Sequence, residues 1–114
     1  NFLNFKEFKV VSWSEKADPS WFGFPVAISK DASFNRLDIL KVYDEHKIGT
    51  RLLFGSNVLR QPAYFKKGYG NENSYPVAND VVDNAFWLGV YPGLTKEMLD
   101  YIIEVTKNFI DNHK

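Results

Sequence analysis

Two segments of the chain repeat apolar residues at helical spacing. The first, residues 31–49, predicts a helix with Ser33 as its N-cap and Gly49 at its C-terminal end. Its apolar stripe consists of Leu37, Ile39, Leu40 and Tyr43. The second segment, residues 94–114, predicts a helix with Thr95 as its N-cap. Its predicted buried face consists of Met98, Leu99, Ile102, Ile103, Val105, Phe109 and Ile110.

Three short runs rich in β-forming residues predict strands: "WFGFPVAIS" from position 21, "TRLLF" from position 50 and "AFWLGVY" from position 85. Residues 55–85 contain many glycines, prolines and asparagines, and we interpret them as a long irregular segment. Such a segment inside a small domain is usually functional or mobile. The order of strand, helix, strand, loop, strand and helix predicts an α+β fold: a small sheet with helices on one face.

Composition and charge exclude several classes of binding partner and site. The chain has 114 residues, which fits one domain, and its 14 basic and 14 acidic residues cancel. A neutral chain lacks the basic field that nucleic-acid or anionic-membrane binding needs, so neither partner is predicted. The absence of cysteine excludes disulfides and thiolate metal sites. No signal peptide or membrane span is visible, and the first residue is not Met, so we expect a piece of a longer protein.

A self-contained catalytic site is not predicted. His46 lies near the end of the first predicted helix, and His113 lies at the C-terminus. Neither is placed as a general base, no His, Asp or Glu spacing suggests a metal site, and no serine has an evident base beside it. We therefore predict no catalytic residue and no metal ligand in this chain.

Two stretches could contact a ligand. In "DPSWFGFP", positions 18–25, Trp21, Phe22 and Phe24 could be core residues, or they could form an apolar wall against a ring-shaped ligand, where Gly23 lets the backbone approach closely. The run "NAFWLGVYPGLT", positions 84–95, is better explained as a core strand that leads into a capped helix.

The second stretch, "GTRLLFGSNVLRQPAYF" at positions 49–65, turns from an apolar strand into a polar segment. Arg51 is predicted to share a strand face with Leu53, while Leu52 and Phe54 point the other way. The donors that follow, which are Asn57, Arg60 and Gln61, could brace the loop or could bind a phosphorylated ligand together with Arg51.

These motifs together resemble the C-terminal part of sugar-nucleotide-modifying enzymes of the DegT-type aminotransferase superfamily, above all the 3-dehydratases of lipopolysaccharide biosynthesis. The resemblance runs over residues 1–114. It implies the small, mostly antiparallel C-terminal domain of a fold-type I enzyme dependent on pyridoxal phosphate (PLP) or pyridoxamine phosphate (PMP). In that case the cofactor and the catalytic base belong to an N-terminal domain outside this chain.

By the same resemblance, Trp21, Phe22 and Phe24 match an aromatic strand that lines the site, and Arg51, Asn57 and Arg60 match residues expected to contact substrate. The implied substrate is a CDP- or GDP-linked 4-keto-6-deoxyhexose. The implied enzyme is a cytoplasmic homodimer. Some members that use CDP-sugars carry an iron–sulfur cluster, whose ligands would lie in the N-terminal domain, and a reductase is among the partners that the resemblance implies.

Three alternatives remain open at this point. The chain could belong to a sugar-nucleotide aminotransferase of the same superfamily, because the residue that separates dehydration from transamination lies upstream. It could be a stand-alone module that binds a glycan or a phosphosugar. Its aromatic residues could also form a domain interface, which would leave an apolar patch on the isolated chain.

Overall fold

The computed structural model describes residues 2–113, and of Leu3 it describes the backbone alone. Four strands form one antiparallel sheet: β1 (Phe8–Val10), β2 (Gly23–Ile28), β3 (Thr50–Leu52) and β4 (Ala85–Gly89). The spatial order is β1-β2-β4-β3, so β2 and β4 are central and the two three-residue strands lie at the edges. The three predicted strands are present, and β1 is an additional edge strand near the N-terminus.

Three α-helices accompany the sheet, α1 (Arg36–Glu45), α2 (Pro76–Asn84) and α3 (Lys96–Asp111). Single turns of 3₁₀-helix occur at Phe2–Asn4, Val58–Arg60 and Glu72–Ser74. The predicted α+β class is confirmed. None of the helices in residues 2–113 has the length and apolar character needed to cross a bilayer.

The core lies between one face of the sheet and the helices α1 and α3. Side chains alternate along a strand, so Val26 and Ile28 of β2 share a face with Phe86 and Leu88 of β4. Helices α1 and α3 cover that face with Ile39, Tyr43, Val105, Phe109 and Ile110. Phe86, Ile39 and Tyr43 are each 0% exposed, which puts the centre of the core where β4 meets α1.

Both predicted caps of α1 were wrong by two residues. Asn35, not Ser33, is the N-cap: its side chain accepts from the backbone N–H of Leu37 and Asp38, and Asp38 accepts in return from the Asn35 N–H. This reciprocal capping box satisfies helix donors that a lone Ser33 would leave open.

At the other end of α1, Lys47 adopts the left-handed conformation (φ +60°) that the sequence had assigned to Gly49. The Ile48 N–H bonds the Tyr43 carbonyl at 2.8 Å and the Lys47 N–H bonds the Asp44 carbonyl at 3.0 Å. These two bonds form a Schellman motif and satisfy the last carbonyls of the helix.

Helix α3 begins as predicted, with the Thr95 hydroxyl accepting from the Met98 N–H at 3.3 Å. Its buried face is shorter than predicted. Met98 and Leu99 are 46% and 50% exposed. Val105, Phe109 and Ile110 in the second half are buried.

The segment predicted to be irregular contains α2. Pro76 occupies the first turn of this helix, where its missing N–H costs nothing. At the other end, Nη1 of Arg36 donates to the carbonyls of Val82 and Ala85 at 2.6 and 2.9 Å. A side chain from α1 therefore caps the C-terminus of α2 and holds it beside β4.

The molecule is more extended than its length requires. Its radius of gyration is 15.8 Å, whereas a compact domain of this size has one of about 13 Å. Many large apolar side chains are also exposed, as described below.

Candidate functional site: an aromatic face and a braced loop

The sheet face opposite α1 and α3 carries a row of three residues from three strands. Pro25 of β2 and Arg51 of β3 both pair with Trp87 of β4, so all three side chains point away from the core. Trp87 had been treated as part of a core strand. Its place between the buried Phe86 and Leu88 was the signal that it faces outward.

Trp87 contacts two further rings. The centroids of Phe22 and Phe54 both lie 5.2 Å from the Trp87 ring, in edge-to-face geometry. Gly23 lies directly beneath Trp87, since a Cβ at that position would come within 3.0 Å of the indole. Phe22 and Phe54 are 79% and 81% exposed. We call these three residues, Phe22, Phe54 and Trp87, the aromatic face.

The prediction that Phe54 points with Leu52 was wrong. The chain turns sharply after β3, and the Phe54 N–H bonds the Leu52 carbonyl at 2.8 Å. Phe54 has φ +50°, a left-handed conformation unusual for a residue with a large side chain. The turn brings its ring back over Trp87, on the face that Arg51 shares.

The structure does not bring the three predicted aromatic site residues together. Phe22 belongs to the aromatic face. Phe24 points into the helix side, where its ring lies 6.0 Å from Phe2. Trp21 lies before β2 and contacts Trp13 at 5.6 Å.

Asn57 braces the loop that follows β3. The side chain is 3% exposed, and its oxygen accepts from the Leu59 N–H at 3.1 Å. Its amide nitrogen donates to the Glu72 carbonyl at 3.1 Å and to Oδ1 of Asn79 at 2.7 Å. Gln61 plays a similar part and donates to the Gly55 carbonyl. Of the two interpretations of these amides, loop bracing is the one their contacts support.

Arg60 lies at the edge of a cavity of about 440 Å³ that is also lined by Phe65, Glu72, Asn73, Asn79 and Asp83. Its Nη1 is 2.9 Å from Oδ1 of Asp83, and the Arg60 side chain remains 36% exposed. The guanidinium is thus accessible and already held by one carboxylate. Asp83 was not among the predicted site residues.

Arg51 differs from Arg60. It is exposed and forms no ion pair with any residue of the described range 2–113. It lines a second cavity, of about 340 Å³, together with Phe22, Trp87 and Tyr91. The two arginines therefore serve different surfaces, one in the braced loop and one beside the aromatic face.

The groups with shifted pKa values are structural. Burial raises the pKa of Tyr43 to about 12, and burial also lowers the pKa of Arg36, against the opposing effect of Asp83. Hydrogen bonds from its own backbone N–H and from Thr95 lower the pKa of Glu97 at the start of α3. No cluster of three or more His, Asp or Glu side chains within residues 2–113 is placed to hold a metal ion.

The sequence matches one family over most of its length. The model of the DegT/DnrJ/EryC1/StrS aminotransferase family covers residues 1–107. The lipopolysaccharide biosynthesis protein RfbH of Salmonella typhimurium is 43% identical over 96 residues, which are 84% of this chain and 22% of RfbH. The dTDP-4-dehydro-2,6-dideoxy-D-glucose 3-dehydratase of Saccharopolyspora spinosa is 44% identical over 94 residues, 82% of this chain and 20% of that enzyme. The chain thus spans about a fifth of the length of these relatives.

Solved structures share the fold. The Escherichia coli GDP-4-keto-6-deoxy-D-mannose-3-dehydratase with bound hydrated PLP superposes with a TM-score of 0.74 at 25% identity, over 91% of this chain and 26% of that one. Spr1654 of Streptococcus pneumoniae, a candidate sugar aminotransferase solved in its PMP form, gives a TM-score of 0.81 at 18% identity, over 98% and 28%. At 18% identity, the similarity to Spr1654 shows a shared fold and nothing about activity. By its sequence match over residues 1–107, this chain belongs to the DegT/DnrJ/EryC1/StrS aminotransferase family.

Proposed function

We propose that this chain is the small C-terminal domain of a PLP- or PMP-dependent sugar-nucleotide 3-dehydratase that acts on an NDP-linked 4-keto-6-deoxyhexose in O-antigen biosynthesis. The observation that carries the proposal is the identity of 43% and 44% to RfbH and to a sugar-nucleotide 3-dehydratase, over more than four fifths of this chain. Because the chain spans about a fifth of either relative, the remaining parts of the proposed enzyme lie outside it.

In this proposal the chain binds and orients substrate. Arg51 and Arg60 supply guanidinium groups for phosphate oxygens, and the exposed rings beside Arg51 exclude water from the bound ligand. Asn57 acts as a positioning residue, since its polar atoms hold the loop that carries Arg60. Of the three aromatic residues matched by the resemblance, the proposal assigns substrate contact to Phe22, because Phe24 points to the helix side and Trp21 packs on Trp13.

The cofactor would act as an electron sink when bound to the complete enzyme. Every lysine within residues 2–113 is exposed, and Lys47, which lines a cavity of about 310 Å³, has apolar and aromatic neighbours there and no side chain that would bind a phosphate. The described residues therefore do not form its binding site, and we assign no step of the reaction through it to this chain.

The test uses the full-length enzyme and measures turnover of CDP- and GDP-4-keto-6-deoxyhexoses by loss of the 3-hydroxyl. Replacing Arg60 with Ala should raise KM at least tenfold, because a charge-assisted hydrogen bond contributes about 1.5–3 kcal/mol. Phe22→Ala should raise KM as well, and Lys67→Ala, which removes an exposed cation from the same loop, should leave it unchanged. Wild-type kinetics in both Arg60→Ala and Phe22→Ala would show that the substrate site has been assigned wrongly.

Aminotransfer is the second candidate, favoured by the match to a family that is named for aminotransferases. Supplying an amino donor separates the two reactions: an aminotransferase needs it and yields an amino sugar, whereas the dehydratase yields a 3-deoxy sugar. A stand-alone glycan- or phosphosugar-binding module, the third candidate, would instead bind its ligand through the 114 residues alone.

The proposed dehydratase is a cytoplasmic homodimer. An iron–sulfur cluster and a reductase partner belong to the proposal if the substrate is CDP-linked, and the cluster would be held by residues outside this chain. Absorbance of the purified full-length enzyme tests the cluster, and sedimentation tests the dimer.

A further inference from the structure

We infer that the aromatic face and Arg51 bind the nucleotide part of the substrate, with the base against Phe22 and Phe54 and the diphosphate at Arg51. This inference rests on the proposed function and refines it, because it separates the residues for the nucleotide from those of the Arg60 cavity. Trp87 has no role in the function proposed above, and Phe54 serves there only to exclude water.

The exposed rings are the first observation. Phe22 and Phe54 are 79% and 81% exposed although each contacts Trp87 edge-on, so their outer faces are open. Bases of any sequence stack on aromatic side chains, and removal of one such ring typically weakens binding about tenfold. The same surface would suit cytosine, guanine or thymine.

The backbone beneath the rings is the second observation. Phe54 reaches Trp87 only because it adopts φ +50°, and Trp87 can lie flat on the sheet only because Gly23 has no side chain. Strained conformations of this kind occur preferentially at ligand-binding sites. Here the left-handed conformation of Phe54 holds an apolar ring on the surface, where the ring gains little stabilisation from burial.

Charge is the third observation and selects the kind of ligand. Arg51 is opposite Trp87 in the sheet and has no carboxylate partner within residues 2–113, unlike Arg60, which Asp83 holds at 2.9 Å. An unpaired guanidinium beside aromatic rings fits a ligand that joins an aromatic ring to an anion. A purely apolar protein surface would bury the Arg51 charge without compensation.

The size of the cavity agrees with one nucleotide. It measures about 340 Å³ and is lined by Phe22, Arg51, Trp87 and Tyr91, so these three rings and the cation face the same space, while Phe54 adjoins it through its contact with Trp87. Pockets for small ligands begin at about 300 Å³.

The experiment titrates the full-length protein with CDP, GDP and dTDP, and separately with inorganic pyrophosphate, by calorimetry. Phe22→Ala and Phe54→Ala should weaken binding of the preferred nucleotide about tenfold and leave pyrophosphate within twofold. Arg51→Ala should weaken both ligands about tenfold or more. Tyr101→Ala, which removes an exposed ring from α3, is the matched control and should change neither affinity.

Phe54→Leu gives an independent check, since it keeps an apolar side chain but removes the ring face, and it should weaken the nucleotide as Phe54→Ala does. The inference is overturned if the ring variants leave nucleotide affinity unchanged, or if they weaken pyrophosphate equally. It is also overturned if they lower thermal stability or break up the oligomer without changing affinity, because the face is then covered by protein.

Failure of this inference can be told from failure of the proposed function. An enzyme that dehydrates its sugar nucleotide and responds to Arg60→Ala, but not to the ring variants, disproves the nucleotide site alone. A wild-type enzyme that binds none of the three nucleotides and turns over no nucleotide sugar disproves both.

Discussion

The core and the loop after β3 are stabilised by different interactions. Between β4, α1 and α3 the contacts are apolar, and Phe86, Ile39 and Tyr43 are completely buried. In residues 55–75 few apolar side chains are buried, and the fold depends on hydrogen bonds from Asn57 and other amides. Because hydrogen bonds hold the loop in shape without burying its side chains, those side chains remain accessible to a ligand.

This difference also explains which parts of the structure could be predicted from the sequence. Burial against a sheet imposes a composition and a spacing on apolar residues, so β2, β3, β4, α1 and α3 could be predicted from the sequence. An amide that braces a loop has the same identity and the same neighbours as one that binds a phosphate. Only the contacts of Asn57 separate the two.

The largest expected effect is at the centre of the core. Phe86→Ala should lower the free energy of unfolding by about 3–5 kcal/mol, because it removes a fully buried ring and leaves a cavity. Urea denaturation measures the change. Phe54→Ala is the control and should cost about 0.5 kcal/mol or less, since its ring is exposed. Equal losses of unfolding free energy in the two variants would show that burial does not determine how much each ring contributes to stability.

A loop effect of intermediate size is expected from Asn57→Ala. The substitution removes two donated hydrogen bonds and one accepted bond at a buried position. We expect local opening to become easier by about 1–3 kcal/mol, seen as faster amide hydrogen exchange in residues 55–75. Exchange in α3 should not change.

Asn57→Asp is the matched variant, because it keeps the oxygen that accepts from Leu59 and loses both donated bonds. Because its second carboxylate oxygen then faces the Glu72 carbonyl and Oδ1 of Asn79 at a buried position, it should open the loop at least as much as Asn57→Ala does. If all three proteins exchange alike, the side-chain network does not hold the loop.

A smaller effect involves Tyr43, whose hydroxyl lies 2.7 Å from Oγ1 of Thr106 in the core. Tyr43→Phe should cost about 1 kcal/mol at neutral pH, the net value of one hydrogen bond. The pKa of Tyr43 is raised to about 12 by burial, from 10.0. The unfolded chain therefore ionises first, and the stability due to Tyr43 is present below pH 10 and lost as the pH rises towards 12.

The slope of that loss should be about 1.4 kcal/mol per pH unit within the window. The difference in unfolding free energy between wild type and Tyr43→Phe isolates it from the other titrating groups. A difference that stays constant from pH 9 to pH 12 would contradict the assigned pKa shift.

The smallest effect is a stabilisation. Lys47→Gly should raise the free energy of unfolding by about 0.5 kcal/mol, because glycine relieves the left-handed conformation at the end of α1 but makes the unfolded chain more flexible. Thermal unfolding measures it. Gly49→Ala should be tolerated, as nothing lies within 4 Å of the added Cβ. If Gly49→Ala lowered the thermal stability and Lys47→Gly did not raise it, Gly49 would be the residue that ends α1.

Helix α2 shows a further limit of sequence-based prediction. Its C-terminal carbonyls are satisfied by Arg36, 46 residues before Val82 in the chain. A local pattern cannot reveal a cap supplied from so far away. The outward position of Trp87 was accessible from alternation along β4, whereas the turn that places Phe54 on it depends on a left-handed residue that the sequence does not mark.

The short edge strands have a consequence for the behaviour of the protein in solution. Edges that expose unpaired backbone groups can template the addition of strands from other molecules and start aggregation. Here β1 and β3 have three residues each, and β3 ends at the turn that leads into Phe54. A strand from another molecule would find too few backbone partners at either edge to add stably. This protects a molecule rich in outward-facing aromatic rings from growing into fibres.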